Sequence, residues 1–357
     1  MSSPNEPLDL TLDGGALTAR LVDFPSVSGE ETALADAVET ALRAFPHLTV
    51  DRYGNNVVAR THFGRDERVV LAGHLDTVPI ADNVPSHVEG DLLYGCGTSD
   101  MKSGVAVQLR LAATLTAANR DVSYVFYDCE EVEADRNGLG HLFAVHPDWL
   151  AGDFAVLMEP SGAAVEGGCQ GSLRADITLT GVRAHAARSW LGDNAIHKAA
   201  EVLRRLAEYQ PRRVEIDGLE YREGLNATRI DGGVAGNVIP DECRIHVAFR
   251  FAPDRTLEQA EEHLRSVFEG YQLEIVDASP AALPGLGLPA ARDFLAAVGG
   301  EPRAKFGWTD VARFSAHGVP AVNYGPGDPN LAHKREEHCS LAAIAEVEQR
   351  LRDWLTA

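Results

Sequence analysis

Short apolar runs alternate with polar turns through the first half of the chain, and several turns carry an acid or a histidine. Arg68–Gly73 leads into His74. Val122–Tyr127 leads into Asp128 and the pair Glu130-Glu131, and Phe154–Met158 leads into Glu159. Continuous apolar runs of this length read as strands covered on both faces. Ser28-Gly29-Glu30-Glu31 has the spacing of a capping box and predicts a helix from there to about Phe45. Ser103–Ala118 is apolar nearly all round and predicts a buried helix. Strands alternating with helices predict an α/β fold, in which chemistry gathers at the carboxyl ends of the strands.

From about residue 173 the rhythm changes. Strand patterns at Leu173–Thr180, Leu225–Asp231, Arg244–Phe251 and Leu273–Val276 are interleaved with helix patterns at Asn194–Tyr209 and Thr256–Glu269. The order β-α-β-β-α-β predicts a small ferredoxin-like unit. Ser279–Leu288 is rich in Pro and Gly and reads as a linker, and the tail ends in a helix pattern at Ser340–Leu355. The expected organisation is a discontinuous α/β domain, 1–172 with 282–357, and an inserted domain, 173–281.

The 357 residues carry a net charge of −21 and are 45 % hydrophobic, a globular composition. The acid excess argues against a nucleic-acid partner. No apolar run reaches the ~18 residues of a membrane helix. MSSPNEPLDL has neither the basic segment nor the apolar core of a secretory signal. The five cysteines form no CxxC pair, so a zinc ribbon or disulfide framework is not expected. The expectation is a cytoplasmic protein with reduced thiols.

Several familiar motifs fail. Gly95-Cys96-Gly97-Thr98-Ser99-Asp100 starts like a dinucleotide fingerprint but ends in a carboxylate where pyrophosphate would sit. GxxxxGK[ST], GxSxG and HExxH are absent. What remains is His74, Asp100, Glu131, Glu159 and His333, with Asp76 beside His74 and Glu130 beside Glu131. Each has an ordinary structural explanation: a helix N-cap for Asp100, a solvated loop pair for Glu130-Glu131, a surface histidine for His333. Together they form the inventory of two zinc ions bridged by one carboxylate, each with one histidine and one further carboxylate.

GHLDTVP at 73–79, GTSDMKSG at 97–104, the Glu130-Glu131 pair, MEP at 158–160, GVRAHA at 181–186, GNVIP at 236–240 and AHKREE at 332–337 resemble the di-zinc M20 amidohydrolase and peptidase family. The likeness covers nearly the whole chain. It implies a zinc-dependent exopeptidase-like catalytic domain, its mixed sheet covered by helices, and a ferredoxin-like lid through which a homodimer pairs. It implies two zinc ions per subunit, replaceable by cobalt. His74 with Glu159 would hold one, His333 with Glu131 the other, and Asp100 would bridge them. Asp76 would orient His74, Glu130 would be the general base, and His185 would support the tetrahedral intermediate, serving its own site or its partner's. Ser172, Asn237, Arg250, Thr309 and Arg313 fall in segments that resemble substrate-contact regions.

Glu rather than Asp at 159 resembles the desuccinylases, deacetylases and glutamate carboxypeptidases of the family. FPSVSGEE (24–31), GHLDTVPIADN (73–83), YGCGTSDMKSG (94–104) and FGWTDVARF (306–314) are most similar to its actinobacterial desuccinylases. Some desuccinylases carry Arg just before the Gly-Ser that here is Gly171-Ser172. This chain has Cys169-Gln170, which leaves Arg183, Arg188, Arg250 and Arg313 as candidates for the substrate carboxylates. The implied activity is hydrolysis of N-succinyl-LL-2,6-diaminopimelate, a small acyl-amino-acid substrate. The alternatives are an acetylornithine deacetylase, a glutamate-type carboxypeptidase, or an inactive metal-holding dimer protein. Glu130, not needed as a ligand, favours an enzyme.

Overall fold

In the computed structural model of the chain, residues 7–357 are described. They form two compact units. One runs up to Gly167 and resumes at Pro284–Arg303 and Thr309–Ala357; the other comprises Gly168–Leu283 and Ala304–Trp308.

The first unit is built on strands β1 (Leu48–Tyr53), β2 (Asn56–Thr61), β3 (Arg68–His74), β4 (Asp121–Tyr127) and β5 (Phe154–Leu157), in the order β1-β2-β4-β3-β5, followed by strand Ala321–Asn323. β3 runs parallel to β4 and β5, whereas β2 is antiparallel to β1 and β4, so the sheet is mixed. Every residue of β4 and β5 is buried, as expected of strands covered on both faces. Helix α1 (Thr32–Arg43) buries Leu34, Ala35, Val38 and Leu42, one stripe at helical spacing. Helix α2 (Ser103–Thr114) is buried along almost its whole length.

Two boundaries differ from the sequence pattern, each for a physical reason. The Ser28 box does not cap α1. The Ser28 hydroxyl donates instead to Asp76 Oδ2 at 2.7 Å, and Glu31 Oε1 accepts from the backbone N–H groups of Gly29 (2.8 Å) and Cys129 (3.2 Å). α2 stops four residues short of Ala118, because Leu115 turns extended while Leu115 and Ala118 remain buried as irregular chain. Gly104, in the first turn of α2, is required by close approach. A Cβ there would lie 2.2 Å from the Met158 carbonyl oxygen, so the helix could not seat against the end of β5. The C-terminal helix Leu341–Thr356 is capped by Ser340, whose hydroxyl accepts from Ala343 N–H at 3.1 Å.

The second unit contains β6 (Gly171–Thr180), α3 (Ala195–Glu208), β7 (Gly224–Gly232), β8 (Glu242–Phe251), α4 (Leu257–Val267) and β9 (Gln272–Ser279). The antiparallel order β7-β8-β6-β9 is ferredoxin-like. Alternate strand residues such as Leu173, Ile177, Ile245 and Phe249 meet Ala199, Val202, Ala260 and Leu264 of the helices in one core. Asn194 caps α3, and Thr256 with Gln259 forms a full capping box on α4. A hairpin, Arg213–Ile216 against Leu219–Arg222, also separates α3 from β7. Its turn is Asp217-Gly218 with φ of 52° and 78°, a two-residue hairpin signal present in the sequence but absent from the pattern reading.

Among the described residues no helix is long and apolar enough to cross a membrane. All five cysteines are free and buried.

Candidate metal centre

The parallel strands deliver the candidate residues to one edge of the sheet. His74 ends β3, with Asp76 two residues beyond. Glu130 and Glu131 follow β4, and Glu159 follows β5. Asp100 enters from the turn before α2, where its own φ and ψ (−121°, 94°) leave the helical region. His333 lies in an irregular loop with φ +64°, a left-handed conformation uncommon outside glycine.

The Asp100 carboxylate divides between two histidines. Its Oδ1 is 3.2 Å from His74 Nε2 and its Oδ2 is 3.5 Å from His333 Nε2. Glu131 Oε1 lies 2.8 Å from the same His333 nitrogen. Donor atoms of His74, Asp100 and Glu131 all lie within 4.8 Å of one another. On its other side His74 Nδ1 is 3.0 Å from the Asp76 carbonyl oxygen. A carbonyl can only accept, so Nδ1 carries the proton and Nε2 is left to a ligand. Asp76 itself is fully buried. Its Oδ1 accepts from Glu130 N–H and its Oδ2 from Glu131 N–H, each at 3.0 Å. It therefore fixes the acidic pair as well as the histidine loop.

Burial alone would depress His74, and the Asp100 and Asp76 carboxylates override it and hold the imidazole well above its ordinary value. Contacts with Asp100 and Glu131 push His333 up to about 10. Burial, the Glu159 charge and the Glu131 charge hold Glu130 well above the usual carboxylate range, with His74 opposing them. Burial and Asp100 raise Glu131 against the pull of His333. Burial would raise Asp100, but the two imidazoles keep it low. Acids crowded at this density around two imidazoles are costly unless cations are shared. The donor set, imidazole nitrogens and carboxylate oxygens with no thiolate, suits zinc or a similar divalent ion.

The structure thus brings together His74, Asp76, Asp100, Glu131 and His333 by direct contact, with the Glu130 backbone held by Asp76 and the Glu159 charge near enough to raise the Glu130 carboxyl. Thr309 and Arg313 belong to the same unit. The Thr309 hydroxyl donates to Asn323 Oδ1 at 2.9 Å. Arg313 donates to Asp310 Oδ1 at 2.6 Å and to the Ala134 carbonyl at 3.2 Å, bracing the loop beyond Glu131. In the second unit Ser172 of β6 faces Arg250 of β8 across the sheet. The Asn237 carbonyl accepts from Ala186 N–H at 2.8 Å, next to the exposed His185. His185 Nδ1 accepts from Ala187 N–H at 3.0 Å, so in the neutral ring Nε2 is the proton-bearing nitrogen.

Three residues escaped the sequence reading. Glu31, in the spacing of a helix cap, instead accepts from the Gly29 and Cys129 backbone N–H groups. Asp310 takes hydrogen bonds from Asn137 (3.0 Å) and Arg313. Glu337 is 2 % exposed beneath the Asp100 loop and accepts backbone hydrogen bonds from it. None of the three belongs to a periodic pattern; Glu31 lies in FPSVSGEE, Asp310 in FGWTDVARF and Glu337 in AHKREE, motifs that carry no role for them on their own.

This fold and centre match a known class. Residues 70–357 fit the model of peptidase family M20/M25/M40, and the chain belongs to that family. Among individual relatives it is similar to the succinyl-diaminopimelate desuccinylase of Corynebacterium glutamicum, 52 % identical over 368 residues with 100 % of each chain covered. Solved structures share the fold. A tripeptidase from Staphylococcus aureus superposes with a TM-score of 0.80 at 20 % identity, over 98 % of each chain. An M20 family metallo-carboxypeptidase from Sulfolobus solfataricus gives 0.77 at 14 % identity, over 96 % of this chain and 98 % of that one.

Proposed function

We propose that the chain hydrolyses the succinyl amide of N-succinyl-LL-2,6-diaminopimelate, releasing succinate and LL-2,6-diaminopimelate, with two zinc ions as cofactors and cobalt as a substitute. The observation that carries the two-ion reading is Asp100, one carboxylate oxygen directed at each of two histidines, one ending a strand and one in a distant loop. Whole-length identity of 52 % to a desuccinylase supports the substrate.

His74 and Glu159 are assigned to one ion, His333 and Glu131 to the other, and Asp100 to both. When bound, the ions supply Lewis-acid polarisation of the amide carbonyl and lower the pKa of a water towards about 7. Glu130 then takes the proton of the attacking water and returns it to the leaving amine nitrogen. His185, with Nε2–H as its outward donor, hydrogen-bonds the oxyanion that develops on the carbonyl. Asp76 keeps His74 in the tautomer that presents Nε2. Ser172, Asn237, Arg250, Thr309 and Arg313 remain the candidates for substrate contact.

Residues 1–172 with 282–357 are assigned to catalysis and 173–281 to a lid that also dimerises. β7 is an edge strand whose residues 226–230 are all exposed, and Trp190, Leu191 and Val234 of the same unit are exposed apolar side chains. An open edge with apolar surface around it suits pairing with a second copy. The cytoplasm is the proposed location.

Elemental analysis should give about two zinc ions per chain. Exhaustive chelation should abolish succinate release, with zinc or cobalt restoring it. Full activity in protein shown to be metal-free would refute the reading.

A further inference from the structure

We propose that Glu337 is a positioning residue that locks the bridging carboxylate Asp100 to the loop bearing His333. The proposal rests on the two-ion reading above. Glu337 follows His333 by four residues, in a turn closed by its own N–H to the Lys334 carbonyl at 3.2 Å. Its carboxylate accepts from three backbone N–H groups: Gly97 at 3.1 Å on Oε2, and Ser99 at 2.8 Å and Asp100 at 3.0 Å on Oε1. Its carbonyl accepts a fourth, from Gly95 at 3.1 Å. The chain around Asp100 leaves helical geometry, so these N–H groups point at one anion instead of along a helix ladder. The Ser99 hydroxyl adds a bond to the His338 carbonyl at 2.8 Å.

Asp76 does the same for the other half of the centre. It stands two residues after His74 and grips the backbone of Glu130 and Glu131. Each histidine is therefore followed by a buried carboxylate that holds the main chain of a neighbouring acid segment. The two histidines are not equally secured. His74 ends a sheet strand and is 1 % exposed, whereas the His333 side chain is 51 % exposed on a loop with positive φ. Cutting the Glu337 tie thus loosens the His333–Asp100 spacing most, because the strand still holds His74.

The test is zinc titration of metal-free protein, followed by calorimetry, for the wild type, Glu337→Gln and Glu337→Ala, with the visible absorption of bound Co(II) as a second readout. Gln keeps one accepting oxygen but turns an NH₂ group toward an N–H donor. The weaker of two binding events should fall about 10–100-fold, the usual effect of removing an outer-shell partner, and more for Ala than for Gln. The tighter event should stay within about threefold, and the Co(II) spectrum should change only for the second equivalent. Unchanged affinity for both ions in a variant that melts cooperatively would overturn the proposal. So would equal weakening of both events, or failure of the near-isosteric Gln variant to fold. A wild type with a single binding event would instead overturn the two-ion reading, and this proposal with it.

Discussion

Glu130 and Glu131 are neighbours in sequence with different work. Glu131 is committed to His333 at 2.8 Å, while Glu130 meets the charges of Glu159 and Glu131 and is raised by burial. Replacing Glu130 with Gln keeps the shape and removes the base. The variant should retain its metal and lose kcat by roughly 10²–10⁴, measured by succinate release alongside elemental analysis. Near wild-type kcat would remove Glu130 from the mechanism, and loss of metal would make it a ligand. Cys129, beside this pair, is buried against Glu31, and burial pushes its thiol up to about 12; it is expected to pack rather than to hold metal. Cys129→Ser should keep its full metal content by the same analysis. At this scale the sequence exposed the ligand candidates only as a set: His74, Asp100, Glu131 and His333 stand in turns after apolar runs or between glycines, each with an ordinary explanation alone. It hid Glu337 and Glu31, because their roles lie in backbone donors distant along the chain, up to 240 residues in the case of Glu337 and Gly97.

Among the elements, strands and helices followed the apolar pattern closely wherever one face alone was buried, as in β8 and α4. Boundaries failed where a tertiary partner outbid the local one. Ser28 prefers the Asp76 carboxylate to a helix N-terminus, and the apolar run after Thr114 packs without being helical. The seat of α2 on β5 gives a direct test. Gly104→Ala would drive a methyl group to 2.2 Å from the Met158 carbonyl oxygen. The helix must shift, at a cost of about 1–3 kcal/mol, read from the urea unfolding midpoint. Because α2 follows Asp100 and β5 precedes Glu159, zinc affinity should fall in the same variant. A substitution neutral in both measurements would mean that the seat is not rigid.

For the whole molecule, the ferredoxin-like order was legible because alternation within four strands and two amphipathic helices survives any assembly. Pairing between copies was not, since an exposed edge such as β7 reads alike in a monomer. Subunit exchange addresses it. Mixing inactive Glu130→Ala with inactive His185→Ala should restore about a quarter of wild-type activity if His185 serves the neighbouring site. Random exchange makes about half the dimers mixed, each with one intact site. No recovery, with exchange confirmed by mass, would confine His185 to its own chain. Substrate choice decides what the molecule does. The measurement is kcat/KM of the zinc-loaded protein on N-succinyl-LL-2,6-diaminopimelate, beside N-acetylornithine and peptides ending in glutamate. A site that pairs the succinyl carboxylate as well as those of the amino acid should favour this substrate by about a hundredfold or more, since analogues leave polar partners unmatched. Equal or higher kcat/KM on the acetyl or peptide substrate would contradict the account.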